Sequence, residues 1–138
     1  MPSDERLETA SPDLDTAGGN LQALWYPGSS HYVGLERFKN PGCVRVSMTS
    51  DEFTAVCPIT TQPDWYTVEI EYEPGAWCLE SKSLKLYLGR YRNEGAFCEG
   101  LSVRIRDDVA DVLDLGRDNV RVTLVQKARG GISIRAVA

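Results

Sequence analysis

Tyr66-Thr67-Val68-Glu69-Ile70-Glu71-Tyr72 is the stretch on which the fold turns. Side chains of an extended chain point to alternate sides. The run therefore lays Tyr66, Val68, Ile70 and Tyr72 on one apolar face and Thr67, Glu69 and Glu71 on the other. Aromatic and β-branched residues dominate it, as a half-buried strand requires, and Pro74-Gly75 stops it. Upstream, Val44, Val46 and Met48 alternate with Arg45 and Ser47 and predict a partner strand.

Between the two lies Phe53-Thr54-Ala55-Val56-Cys57-Pro58-Ile59-Thr60-Thr61-Gln62-Pro63-Asp64, which reads as a reactive loop. Two prolines stiffen it, and a carboxylate follows the cysteine seven positions on. Cys57 is a candidate nucleophile if its surroundings favour the thiolate, with Asp64 as the proton-handling partner. Taken alone, the same residues also describe an inert loop cysteine beside a turn-forming Asp.

Downstream, Leu84, Leu88 and Tyr91 share a helical face. Ser81 or Ser83 is placed to cap the first turn, so Glu80-Ser81-Lys82 sits at a helix N-terminus, where amides and dipole favour anions. Leu101, Ile105, Val109, Val112 and Leu113 predict a second helix stopping at Gly116. Val120, Val122 and Leu124, then Ile132, Ile134 and Ala136, form a closing hairpin through Arg129-Gly130-Gly131. The order strand-strand-helix-helix-strand-strand predicts an α+β domain, a four-stranded antiparallel sheet with both helices on one face. Aliphatic residues on both sides of so small a sheet, and its open edges, call for oligomerisation.

The 138 residues fit one domain, expected over 31–138 behind a polar leader at 1–30 that docks through Leu21, Leu24, Trp25 and Tyr26. A formal charge of -5 argues against a broad phosphate-gripping face, so the expected partner is a small molecule and not a nucleic acid. No apolar run approaches membrane-spanning length and the start is acidic, which predicts a cytoplasmic protein without membrane contact. Cys43, Cys57, Cys78 and Cys98 form no C-x-x-C pair, and His31 is the single histidine, so no metal site is expected.

Three separated stretches resemble one family: Phe53 to Asp64, Glu80-Ser-Lys-Ser-Leu-Lys-Leu-Tyr87, and Arg92-Asn93 through Phe97-Cys98-Glu99 with Arg129-Gly-Gly-Ile-Ser133. They are similar to the short NADPH-dependent 7-cyano-7-deazaguanine reductases, nitrile reductases of queuosine (tRNA modification) biosynthesis, over roughly residues 42–135. The resemblance implies the tunnelling fold, whose subunits assemble into barrels, and suggests two facing rings of five. It implies that the Cys57 thiolate adds to the nitrile carbon to form a thioimide and that Asp64 handles protons. Glu80 and Glu99 would bind the purine-like base, with Leu79, Ser81 and Cys98 lining the pocket between subunits. Lys82, Lys85 and Arg129 would contact the phosphates of NADPH.

The family usually carries His where this chain has Cys98. A second thiol beside the pocket raises the hypothesis of a reversible Cys57–Cys98 disulfide, against Cys98 as a small packed residue. Two rival functions follow: a relative that adds ammonia to the nitrile without NADPH, and a non-catalytic base-binding or redox-sensing oligomer.

Overall fold

The computed structural model describes residues 34–138; the leader at 1–30, with Trp25, and the next three residues, with His31, lie outside the described residues. Four long strands, β2 (Val46–Val56), β3 (Pro63–Tyr72), β5 (Val120–Arg129) and β6 (Ile132–Val137), form one antiparallel sheet in the order β2-β3-β5-β6. Two three-residue strands, β1 (Arg37–Lys39) and β4 (Trp77–Leu79), pair separately. Helices α1 (Ser81–Gly89) and α2 (Cys98–Leu113) fall between β4 and β5, as expected from the hydrophobic spacing.

Register carries the alternation of β3 into its neighbours. Val46, Met48 and Phe53 stand opposite Tyr72, Ile70 and Tyr66, and Val120, Val122 and Leu124 stand opposite Tyr72, Ile70 and Val68. These residues share the face that both helices cover, and Leu84, Tyr87, Leu88, Leu101, Ile105, Val109 and Leu113 complete the core. Burying a core side chain of this size stabilises by about 1.5–3 kcal/mol, so this face holds the domain together.

The opposite face corrects the expectation of aliphatic residues on both sides. Thr67, Glu69 and Glu71 of β3 lie beside Val125, Thr123 and Arg121 of β5, with Arg135 and Val137 of β6 beyond them. The sheet's open side is thus largely polar, and β2 and β6 are its edges, with no further strand beside them among the described residues. Strand β2 begins later than expected, leaving Val44 outside it and 80% exposed. It also runs through Phe53–Val56, a segment read from sequence as loop; a bulge between Ser50 and Phe53 keeps the apolar residues facing inward on both sides of it.

Glu80, not Ser81 or Ser83, caps α1. Its carboxylate accepts from the Ser83 amide at 2.6 Å and the Lys82 amide at 2.9 Å. The Ser83 hydroxyl is turned inward, donating to the Glu80 carbonyl at 2.8 Å and accepting from the Glu36 amide at 3.0 Å. Helix α1 passes into a 3-10 turn, Arg90–Asn93, that buries Tyr91. Helix α2 ends before the expected Gly116, closed by Asp114 in the left-handed region at φ 56°.

Candidate active site

The site lies at the β2–β3 turn. Ala55 pairs with Asp64 and Val56 with Pro63, and the Cys57 amide donates to the Gln62 carbonyl at 2.8 Å while its carbonyl accepts from Thr61 at 2.9 Å. The loop is thereby closed on itself, with Thr61 at φ 61°. Residues 94–96 are stitched to the same strand end: Val56 donates to the Glu94 carbonyl at 3.0 Å and accepts from the Ala96 amide at 3.1 Å. That stitch delivers the start of α2, with Cys98 and Glu99, to the cysteine loop.

Arg129 arrives from the end of β5. The register that sets Gln126 against Tyr66 carries the strand end to the level of Asp64. Its guanidinium donates to Asp64 Oδ1 at 2.5 Å, to Gln62 Oε1 at 2.6 Å and to Thr60 Oγ1 at 3.3 Å. Asp64 is buried, and pairing raises the proton affinity of Arg129 still further.

Cys57 is half-buried and its thiol is pushed down from 9.0 to about 7. The Thr60 hydroxyl is the largest cause, followed by the Thr60 and Ile59 amides, with Arg129 helping and burial opposing. A thiolate gains hydrogen bonds here that a thiol would not use. Cys98 behaves oppositely: burial first, then Glu99, pushes it up to about 11, so it remains a neutral thiol. All four cysteines are unpaired.

Cys57, Asp64, Arg129, Cys98 and Glu99 therefore converge within one chain, and Glu99 is exposed at the rim. Leu79, Glu80 and Ser81 do not join them. The Leu79 amide donates to the Tyr72 hydroxyl at 2.8 Å, and Tyr72 ends the strand whose second residue is Asp64. Eight residues of strand, about 26 Å at the usual rise, separate the two ends. Lys82 and Lys85 follow Glu80 on α1, and neither has an ion-pair partner among the described residues.

A cleft of about 440 Å³ lies between the β2 bulge and α1, away from Cys57; its walls include Ser81, Lys85, Arg90 and Arg92 beside Phe53, Val68 and Leu84. Sequence reading missed Thr60 and Gln62 as partners of Arg129, although both lie inside the quoted loop.

A family model described as "QueF-like protein" matches residues 63–138. The chain belongs to the QueF-like family. Among its relatives, the protein of Ruegeria pomeroyi named NADPH-dependent 7-cyano-7-deazaguanine reductase is 44% identical over 125 residues, 88% of this chain and 77% of that one. A protein of the same name from Rhodopseudomonas palustris is 38% identical over 137 residues, covering 97% of this chain and 83% of the relative. A solved structure titled as the apo form of the archaeosine synthase QueF-Like superposes with TM-score 0.62 at 25% identity, covering 70% of this chain and 93% of its own. As a QueF-like protein, the chain shares with that neighbour the subunit expected from sequence, an antiparallel sheet backed by two helices. No helix among its described residues is long and apolar enough to cross a membrane.

Proposed function

We propose that this QueF-like protein reduces the nitrile of 7-cyano-7-deazaguanine to the aminomethyl group with NADPH, in queuosine biosynthesis. The observation that carries the reading is the Cys57 thiol, half-exposed and lowered to about 7 beside the Asp64–Arg129 pair. As a thiolate, Cys57 adds to the electrophilic nitrile carbon, and the carbon–nitrogen triple bond becomes the double bond of a thioimide. The nitrogen gains a proton in that step and more as reduction proceeds, which gives Asp64 its role. Glu99, exposed at the rim, accepts from the N–H groups of the base.

NADPH supplies the hydrides. The uncommitted ammonium groups of Lys82 and Lys85 suit its phosphates, and Lys85 lines the cleft. Arg129 is spent on Asp64, so it serves the phosphates less directly than Lys82 and Lys85.

Glu80, with Leu79 and Ser81, acts from a neighbouring subunit, because within one chain a strand's length separates it from Cys57. An apolar rim of Ile59, Trp65 and Phe97 around the cysteine end, respectively 77%, 52% and 59% exposed, supports burial there by another copy. The open edges β2 and β6 suit closure into a barrel. Unpaired thiols fit a cytoplasmic location.

Intact-protein mass after incubation with 7-cyano-7-deazaguanine tests the reading. Wild type gains the mass of one nitrile per chain and Cys57→Ala gains none. Loss of absorbance at the nicotinamide band on adding NADPH then separates reduction from ammonia addition to the nitrile, which consumes no NADPH.

A further inference from the structure

Tyr66 is fully buried, yet its hydroxyl is the one buried side-chain polar atom without a hydrogen-bond partner among the described residues. An unpaired polar group in the interior is costly, and such a group calls for a reason. Its place in the fold offers one. Tyr66 is two residues beyond Asp64 on the same face of β3, and its ring is pinned against Phe53 at 5.4 Å between centroids. Phe53 is in turn held edge-on by Tyr91. Burial raises the proton affinity of the phenol most, and then, in decreasing order, Asp64 from its own strand, Cys98 and Glu99 from α2, and Cys57 from the loop raise it further. It therefore stays protonated and acts as a donor.

The surrounding groups leave it a specific vacancy. Asp64 Oδ1 is held by Arg129, whereas Oδ2 accepts no hydrogen bond from a described residue. Cys57 as thiolate and Glu99 as carboxylate have no hydrogen to donate, Cys98 is a weak thiol donor, and Arg129 is committed to Asp64, Gln62 and Thr60.

We propose that Tyr66 is a positioning residue for the proton-handling carboxylate, its phenolic O–H being the donor that holds Asp64 Oδ2 when the carboxylate turns from Arg129 toward bound substrate. Arg129 and Tyr66 then hold Asp64 in its two orientations. The inference rests on the reductase reading.

The test is Tyr66→Phe, which removes one oxygen and keeps the ring. Its kcat falls roughly tenfold or more, with KM within about twofold of wild type. The Cys57 adduct still forms by intact mass, and Tm is unchanged or higher because an unpaired buried hydroxyl has gone. A kcat within twofold of wild type, whatever the Tm, would overturn the inference, leaving Tyr66 a packing residue. A kcat loss matched by a fallen Tm would overturn it too, as a folding effect. Failure of wild type itself to form the adduct would strike the reductase reading instead, so the two failures are distinguishable.

Discussion

A thiol that titrates near 7 is ionised in about half of the molecules at neutral pH, against about one in a hundred at 9.0. That difference is made first by one hydroxyl, Thr60, then by the Thr60 and Ile59 amides, and least by a cation, Arg129. The environment of Cys57 thus differs from sites in which a histidine or lysine carries the burden, and no described histidine is present to do so. Replacing Thr60 by Val keeps the side chain's shape and removes the hydroxyl's hydrogen bonds to sulfur and to Arg129. The thiolate loses stabilisation, so the thiol's midpoint rises from about 7 toward 9.0. Alkylation of the Cys57 peptide by iodoacetamide, followed by mass across pH 6 to 10, checks this: the midpoint of the rate profile moves to higher pH and the rate at pH 7 drops several-fold. Exposed Cys43, in the same digest, serves as the internal control for the reagent.

The elements that hold the site differ in how openly they were written. Strand β3 was legible because every second residue from Tyr66 to Tyr72 is apolar, and α2 because its apolar residues recur at helical spacing. Strands β1 and β4 were not, since three residues carry no period. The pairing of Arg129 with Asp64 joins positions 65 apart and depends on the β3–β5 register, which no local pattern records. Glu80 as a cap escaped because serines are the usual reading at a helix start. The cysteine and its carboxylate were legible as a pair, but the fall in the thiol's proton affinity belongs to the turn's geometry. That turn stores strain at Thr61, a β-branched residue at φ 61°. Thr61→Gly relieves a penalty of about 1–2 kcal/mol in the folded loop, partly offset by the greater entropy of glycine in the unfolded chain. The urea midpoint should rise with unchanged slope, giving a net gain of about 0.5–1 kcal/mol. The Thr61 side chain itself bonds only to the neighbouring Thr60 carbonyl, at 2.6 Å, so no long-range contact is lost.

At the scale of the whole molecule, one chain holds half of each of two proposed sites: Cys57, Asp64 and Glu99 at one end of β3, and Leu79, Glu80 and Ser81 at the other. Neither half can reach the other, because the strand between them is a paired member of the sheet on both sides. If a neighbouring subunit brings its Glu80 end to this chain's Cys57 end, two chains defective in different halves can form an intact site together. Cys57→Ala and Glu80→Gln variants, each nearly inactive alone, are unfolded together in denaturant and refolded as an equimolar mixture. With random assembly, about a quarter of the sites draw an intact cysteine from one chain and an intact glutamate from its neighbour. NADPH consumption should recover to about that fraction of wild type, while native mass spectrometry shows both variants in the same assembly. Mixed assemblies that stay inactive would rule out a site shared between chains, and the loss in Glu80→Gln would then trace to its cap of α1.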